Sequence, residues 1–571
     1  MSLQDANLIY GVADRPPASV CLLQAAQHIA VMAPPLVYPI LVLQACGAAP
    51  QSVSNVVSLS FVVLGIGTIL QCYAGKYIGS GFLLPFIFTA AYLPGSLAAA
   101  ELGGMPLVFG MTLFGGAIEI ALAWVVPRLR WLFPPEISGL CVTIIALVLG
   151  ILGIRLMLGG DPTQGSREMV LPEIAVGVAI LAMMIGLQVW GQGGLRTYAV
   201  IAGVVVGYLA SLAMGMVKAQ ALADIAAAPL FRLPELPLFV PAFRIDFTVP
   251  FAVAALACCL RAMGDLTMCQ KLNYRDWVRP DFITIRRGVF ADGLGTVLAA
   301  LIGSVGGNTY STGVGLSSAA QITSRHIGIY IGLILIGMAA FPIFPAILIS
   351  VPKSIMGAAL VFTACFVLIN GLKIVMDRML DSRRILIVGL ALTLSISRNV
   401  IPDFYAQLPQ PIQPFVASDL VIGVIAALVL NALFRIGIRQ RESISIMPSA
   451  QAIEQVQHFL EEQGARWSAR RDVMARAIFG TAQTLEVVFD QDQESRPVVV
   501  EAVFDEYNLD ISLTYEGEPI ELSDKRPSDQ EIRESEVGAS KLAGYLIRRN
   551  ADRVNVIHTA ARATVKLHFE H

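Results

Sequence analysis

Charge is scarce in this chain of 571 residues: only 14% of them are Asp, Glu, Lys or Arg, against 56% hydrophobic residues and a mean hydropathy of +0.68. That balance excludes a water-soluble globular protein of this size and points to a chain that crosses a lipid bilayer many times. A basic stripe of the kind that binds nucleic acid is missing, since 40 Lys and Arg nearly balance 42 Asp and Glu. Metal-type cysteine spacing is missing too. Cys21, Cys46, Cys72, Cys141, Cys258, Cys259, Cys269 and Cys365 all lie in the apolar part without CxxC or Cys/His patterns, so they read as small core residues and no metal or cofactor is expected. The polar start, MSLQDANLIYGVADRPP, lacks a signal-peptide pattern and is expected on the cytoplasmic side. What charge there is concentrates late: residues 435–571 carry 23 acids and 17 bases in 137 positions, leaving 42 of the 82 charges for residues 1–434. The chain therefore divides into a membrane body and a soluble tail.

A membrane helix needs roughly 20 mostly apolar residues. Twelve runs meet this, near 20–43, 52–73, 105–126, 136–158, 170–191, 197–217, 247–270, 286–304, 327–350, 354–375, 383–401 and 413–434. Two more, Gly79–Gly95 and Gly306–Gln321, are too short or too broken by Gly and Pro to be ordinary spans. They fall third and tenth of fourteen, and interrupted segments at matching places in two halves mark a transporter's binding site. The expected fold is an all-α polytopic membrane protein of two inverted repeats of seven segments, with a small cytoplasmic α/β domain behind it. A re-entrant loop of a channel is the other reading of each broken segment. With fourteen segments and an internal N-terminus, the cytoplasmic side collects 15 basic residues of the membrane body and the outside seven, setting aside Arg261 within a span. That bias places both termini in the cytoplasm of a cell (inner or plasma) membrane.

Five ionisable residues fall inside expected spans: His28, Glu119, Arg261, Asp265 and Asp292. Each is a site hypothesis, because a charge in the bilayer is costly unless paired or solvated. Arg261 and Asp265 are four apart and share a helix face, so they can form an internal ion pair that only holds helices together. Glu119 and His28 can equally be hydrogen-bonded packing residues. Asp292, in FADGLG, has no basic residue within a turn and needs a partner from another segment; the tenth, with Thr309, Ser311, Thr312, Ser317 and Ser318, is the expected donor. Half-helices ending at the two breaks would point unsatisfied N–H groups into a cavity and favour a ligand with carbonyl oxygens or negative charge. The polar backbone flanking each break is free, on this reading, to bond the substrate.

At these residues the sequence resembles the nucleobase–ascorbate transporter family, over about residues 18–434. Gln27-His28 looks like the Gln-His of the family's first helix, GSGF at Gly79–Phe82 like the opening of its third, and LRAMGDLT like its eighth-helix Leu-Glu-x-x-Gly-Asp, with Gly264 and Asp265 in place. FADGLG is similar to the ninth-helix Ala-Asp-Gly-Leu-Gly, with Asp292 on the functional aspartate, and NTYSTGVG to the tenth-segment signature, with Gly315 on its glycine. The family's eighth-helix glutamate is Arg261 here, and the signature's Gln/Glu and Asn fall near Thr312 and Gly313. A guanidinium donates and never accepts, so it suits carbonyl or carboxylate oxygens rather than ring N–H groups. The resemblance implies a core domain (segments 1–4 and 8–11) moving against a gate domain (5–7 and 12–14), proton or sodium coupling, and a homodimer through gate helices. Substrate would sit where segments 3, 8 and 10 meet. Thr89, Tyr92, Arg261, Thr312, Gly315 and Ser317 are the substrate-binding candidates, and Asp265, Asp292 and His28 the coupling candidates.

Residues 1–17 read as a cytoplasmic N-terminus, 18–434 as the membrane domain, 435–448 as a linker and 449–571 as a cytoplasmic α/β regulatory domain. Its pattern gives helices near 450–464, 468–487 and 538–550 and strands near 497–504, 509–515, 553–558 and 562–569. That order looks like the ATPase fold of histidine kinases and anti-sigma factors. Glu486 stands where its Mg-binding Asn would be, and Tyr515-Glu516-Gly517 where its Asp-x-Gly would be, so a non-catalytic regulatory or dimerising domain is expected. The expected function is secondary active transport of a nucleobase or related heterocycle such as xanthine, uracil or urate, not catalysis. The rival readings are an anion exchanger or channel using Arg261 and the half-helix dipoles, and a non-transporting sensor that signals through the tail.

Overall fold

The computed structural model describes the chain except residues 1–7, 126–134, 160–170, 192–197, 218, 238–239, 276, 278–279, 377–381, 435–439, 450, 468, 492–495, 506–507, 521, 523–535, 560–561 and 571. It forms two compact units, Met1–Asn431 and Ala432–His571.

The first unit is helical, as the absence of water for backbone groups in a bilayer requires. Pro50–Cys72, Leu93–Val125, Glu136–Met157, Leu171–Trp190, Ile245–Asn273 and Lys353–Val375 are long and apolar enough to cross a membrane. Two bent pairs, Ala18–Met32 with Pro34–Ala45 (46°) and Arg325–Ala339 with Ile343–Ser350 (86°), bring the count to eight among the described residues. Both bends fall at prolines, Pro34-Pro35 and Pro342, which cannot donate to the helical ladder. Shorter apolar helices, Ala199–Ala213 and Asp419–Phe434, occupy the seventh and fourteenth expected stretches, and the more polar helices Phe282–Leu301 and Ser382–Val400 the ninth and thirteenth. Leu93–Val125 is two helices in one line of sequence, broken at Gly104 (φ 60°, ψ −157°) just before Pro106, which separates the third segment from the fourth. An amphipathic helix, Ala219–Ala227, lies in the connection before the eighth segment and was not expected.

The two broken segments meet. Each enters as a three-residue strand, β1 (Phe86–Phe88) and β2 (Gly307–Thr309), paired antiparallel with Phe86 opposite Thr309 and Phe88 opposite Gly307. The pairing extends outward through Tyr310 N to Pro85 O (3.1 Å) and Thr89 N to Gly306 O (3.2 Å). Backbone expected to be free for substrate is thus spent largely on the other break, because buried N–H and C=O groups must be paired. Helices then start at Leu93 and at Ser311, the latter running Ser311–Ala320.

Helix contacts run through glycines. A Cβ on Gly65 would lie 2.7 Å from Gly332 O, one on Gly116 3.1 Å from Gly293 O, one on Gly139 2.8 Å from Gly371 O and one on Gly357 2.5 Å from Gly153 O. Where lipid removes the hydrophobic drive between helices, such small residues let backbones touch and gain dispersion contacts.

The second unit is a five-stranded antiparallel sheet in the order β3-β4-β5-β7-β6: Gln440–Ile446, Val498–Phe504, Asn508–Tyr515, Arg562–Glu570 and Arg553–Thr559. Helices Ala452–Arg466, Arg471–Gln491 and Glu536–Asn550 accompany it. Along β7, Ala563, Val565, Leu567 and Phe569 are fully buried, and they share a core with Val456, Leu460, Ala477 and Ile547. The expected linker 435–448 differs: residues 435–439 lie outside the described residues, and 440–446 form strand β3 on β4. In QRESISI only Ile444 and Ile446 are apolar, the weak alternation of an edge strand, so the pattern did not announce it.

Candidate functional site

Four segments bring the site residues together around the start of the tenth-segment helix. Its N-cap is Tyr310, with no side-chain cap, so the amides of Ser311 and Thr312 have no helical partner. Tyr310 Oη donates to Val31 O (3.1 Å) at the bend of the first segment. From the eighth segment, Arg261 Nε donates to Ser311 Oγ (3.3 Å) and stands 4.0 Å from Asp265 Oδ2. Both side chains are buried, at 5% and 9% exposure. Asp265 Oδ2 accepts from Thr309 Oγ1 (2.8 Å). The guanidinium uses only Nε in these contacts; its terminal N–H groups have no hydrogen-bond partner among the described residues.

Asn308 anchors rather than presents itself. Its Nδ2 donates to Cys258 O (3.1 Å) and its Oδ1 accepts from Thr309 N (2.6 Å), which locks β2 onto the eighth helix. His28 bridges the first and tenth segments, with Nδ1 donating to Gln24 O (2.9 Å) and Nε2 lying 3.3 Å from Ser317 Oγ. A neutral ring satisfies both partners. Ser317 Oγ has one proton, which serves either that ring nitrogen or Gly313 O (3.0 Å).

The other candidates separate. Gly315 is exposed, and a Cβ there, as at Gly264, would meet nothing within 4 Å, so both glycines border open space. Thr312 is half-buried beside them. Thr89 and Tyr92, expected on the cavity wall, lie in the packed interior at 1% exposure. Thr89 Oγ1 accepts from Ala91 N (3.3 Å) and holds the turn after β1. The Tyr92 ring packs between Gly115, Gly306 and Phe251, and its hydroxyl has no hydrogen-bond partner among the described residues.

Asp292 was expected to take its hydrogen bonds from the tenth segment, rich in hydroxyls, and the Thr309 backbone of that segment does reach it. It has none of those hydroxyls: both carboxyl oxygens lack a hydrogen-bond donor among the described side chains, and its neighbour is the carboxyl of Glu119 on the fourth segment. Glu119 Oε2 accepts from Thr296 Oγ1 (3.4 Å), and Thr296 Oγ1 is also 3.2 Å from Gly307 O. The sequence carried a signal for this that spacing alone does not decode: Gly116 and Gly293 each stand beside one of the two acids. Among the described residues no group of three or more His, Cys, Asp or Glu side chains is placed to hold a metal ion. In the tail, Glu486 is exposed and accepts from Gln483 Nε2 (2.8 Å), while Glu516 pairs with Arg496 (3.3 Å) and Arg562 (3.6 Å) on the sheet surface.

Residues 20–404 match the family model Xan_ur_permease, described as a permease family. Xanthine permease XanQ of Escherichia coli K12 is 26% identical over 461 residues, covering 79% of this chain and 98% of that protein. Uric acid permease PucJ of Bacillus subtilis 168 is 26% identical over 416 residues, covering 72% and 91%. Among solved structures, the murine Slc26a9 anion transporter in its inward-facing state superposes with a TM-score of 0.51 at 9% identity, covering 76% of this chain and 71% of that one, a likeness of fold alone.

Proposed function

The chain belongs to the Xan_ur_permease family of membrane permeases, and from that premise we propose that it is a secondary active transporter of nucleobases, working by alternating access on an oxidised purine such as urate or xanthine. The observation that carries the substrate class is Arg261. Its side chain is buried beside Ser311, and its terminal N–H groups have no hydrogen-bond partner among the described residues; the Ser311 amide, like that of Thr312, opens the tenth-segment helix without a helical partner. The guanidinium and the two helix-start amides are donors that converge there, which suits the carbonyl and enolate oxygens of urate or xanthine. The relatives named for xanthine and for uric acid lean the same way.

Fourteen segments in two inverted halves remain the reading of the membrane unit, and its contacts support it. Exchanging the halves turns segment n into n plus or minus seven. The glycine contact between segments 2 and 11 (Gly65, Gly332) then becomes that between 9 and 4 (Gly293, Gly116). The pairing of 5 with 12 and of β1 in segment 3 with β2 in segment 10 each map onto themselves. Core segments 1–4 and 8–11 would move against gate segments 5–7 and 12–14. Both termini in the cytoplasm, a homodimer through gate helices, and a regulatory role for residues 449–571 belong to the same proposal. Asp292 is the coupling carboxyl, and proton rather than sodium the coupling ion.

The test is uptake of radiolabelled urate, xanthine and uracil into proteoliposomes under proton or sodium gradients. Accumulation of urate or xanthine driven by a proton gradient supports the reading. Conductance without accumulation would make it a channel, and binding without flux a sensor; either sinks it.

A further inference from the structure

Glu119 has no part in the reading above, yet it is fully buried in a transport core. The helices that carry it and Asp292 touch backbone to backbone at Gly116 and Gly293, where a Cβ on either would lie 3.1 or 3.2 Å from the other's carbonyl oxygen. Glu119 is one turn beyond Gly116, and Asp292 adjoins Gly293. Asp292 and Thr296, four apart, share one helix face and both reach Glu119. The glycine contact therefore presses two carboxyls together in a dry interior.

Carboxylates only accept hydrogen bonds, and here Glu119 Oε1 and both Asp292 oxygens lack a side-chain donor among the described residues. A third unpartnered group points to the same spot: the Tyr92 hydroxyl, at 1% exposure, lies against Gly115 and interacts with both acids. The charged and titratable groups around them are the thiols of Cys258 and Cys259 and the pair Arg261 and Asp265, all on the eighth segment. Arg261, the single cation among them, has its Nε on Ser311 and beside Asp265. Two carboxyls in contact, with the nearby guanidinium engaged by Ser311 and Asp265, disfavour double ionisation, and one proton between them makes a donor for the oxygens that lack a side-chain donor.

We propose that Glu119 and Asp292 form one proton-binding pair, the coupling site of this transporter, and that Thr296 reports its state to the tenth segment. Thr296 has a single hydroxyl proton and two acceptors for it, Glu119 Oε2 at 3.4 Å and Gly307 O at 3.2 Å. With the pair ionised, the hydroxyl turns to Glu119. With the pair protonated, it turns to Gly307, in the strand that leads into the substrate-binding helix. Glu119 is thus a positioning and proton-sharing residue that no substrate atom touches. A carboxyl pair that shares a proton needs no metal cation between its oxygens, so the proposed ion is a proton.

The inference rests on the transport reading, and two measurements keep their failures apart. In proteoliposomes, Glu119→Gln should keep exchange of labelled for unlabelled urate while losing accumulation driven by a proton gradient; Asp292→Asn should lose that accumulation too. Unchanged proton-driven accumulation in Glu119→Gln, or accumulation driven by sodium and lost in that variant, overturns the pair. If the wild type exchanges no nucleobase, the transport reading fails, and infrared difference spectra of the purified protein decide the pair by themselves. A protonated-carboxyl band that titrates with pH should shift its midpoint in Glu119→Gln and in Asp292→Asn. A band unmoved by Glu119→Gln, with the variant folded by its thermal transition, overturns it.

Discussion

Arg261 offers the sharpest separation of structural from substrate-binding roles. Two unit charges 4.0 Å apart attract by about 4 kcal/mol at the effective dielectric constant of about 20 that suits protein sites. Stranding one member of a buried pair costs about 3 to 5 kcal/mol. Asp265 would not be wholly stranded in Arg261→Gln, because Thr309 Oγ1 still donates to it at 2.8 Å, and a hydrogen bond to a charged group is worth about 1.5 to 3 kcal/mol. The net loss for Arg261→Gln is therefore about 1 to 3 kcal/mol, and the double change with Asp265→Asn should regain most of it. Ligand binding adds a second readout. A ligand at a hundred times its Kd stabilises the folded state by about 2.7 kcal/mol, so thermal unfolding with and without urate reports affinity in each variant. Both variants should lose the urate increment. Recovery of that increment in the double variant would show that the guanidinium only balances Asp265, and the donor-based substrate argument would fall.

Helix packing gives a second expectation: Gly357→Val must push its Cβ into Gly153 O and Met157 N, both 2.5 Å away, and should lose about 1 to 3 kcal/mol in thermal unfolding. Gly389→Ala, which meets nothing within 4 Å, should stay within about 0.5 kcal/mol. In the tail, the hydrogen bond that His568 Nδ1 donates to Asp510 Oδ1 (2.6 Å) holds the imidazole above its usual range. A raised folded value means the stabilisation is complete below the ordinary histidine value of about 6.5 and fades as pH rises through the folded one. His568→Gln should flatten that slope in the tail's unfolding transition, and an unchanged slope would refute the assignment. Because β3 belongs to the sheet, a chain ending at residue 439 should keep a folded membrane unit with urate exchange, whereas one ending at 444 would leave part of an edge strand without its partner.

The membrane character, the break positions and most tail elements were legible because each follows from local pattern: apolar runs of spanning length, Gly and Pro at the third and tenth segments, and alternation in VNVIHTAARATVKLHFE. What local pattern cannot carry is which segment touches which. Thr89 and Tyr92 are substrate-binding candidates by position near a break, and their burial at 1% exposure follows from contacts with distant segments that sequence does not show. Glu119 read as one acid in an apolar helix, and its meaning depends on Gly116 meeting Gly293 from a distant helix. Strand β3 failed for the opposite reason, since an edge strand buries too little to leave a clear apolar period.

The charge inventory of the core leads to a last expectation about voltage. Arg261 and Asp265 cancel, and a neutral His28 can donate to Gln24 O and accept at the nitrogen beside Ser317 Oγ. The Glu119 and Asp292 pair then sets the balance: with one shared proton its net charge is −1, and a second proton makes it neutral. Moving a charge across the membrane potential is worth about 2.3 kcal/mol per 100 mV, so that balance decides what the potential drives. A urate monoanion carried with one proton leaves the loaded core as negative as the empty one, and the cycle moves no net charge. A neutral base with the same proton moves one positive charge inward per cycle. Clamping proteoliposomes inside-negative with a potassium gradient and ionophore should accordingly speed uptake of uncharged xanthine and leave uptake of urate anion unchanged. Urate uptake that accelerates with an inside-negative potential would mean more than one proton per substrate, and a single shared pair could not be the whole coupling site.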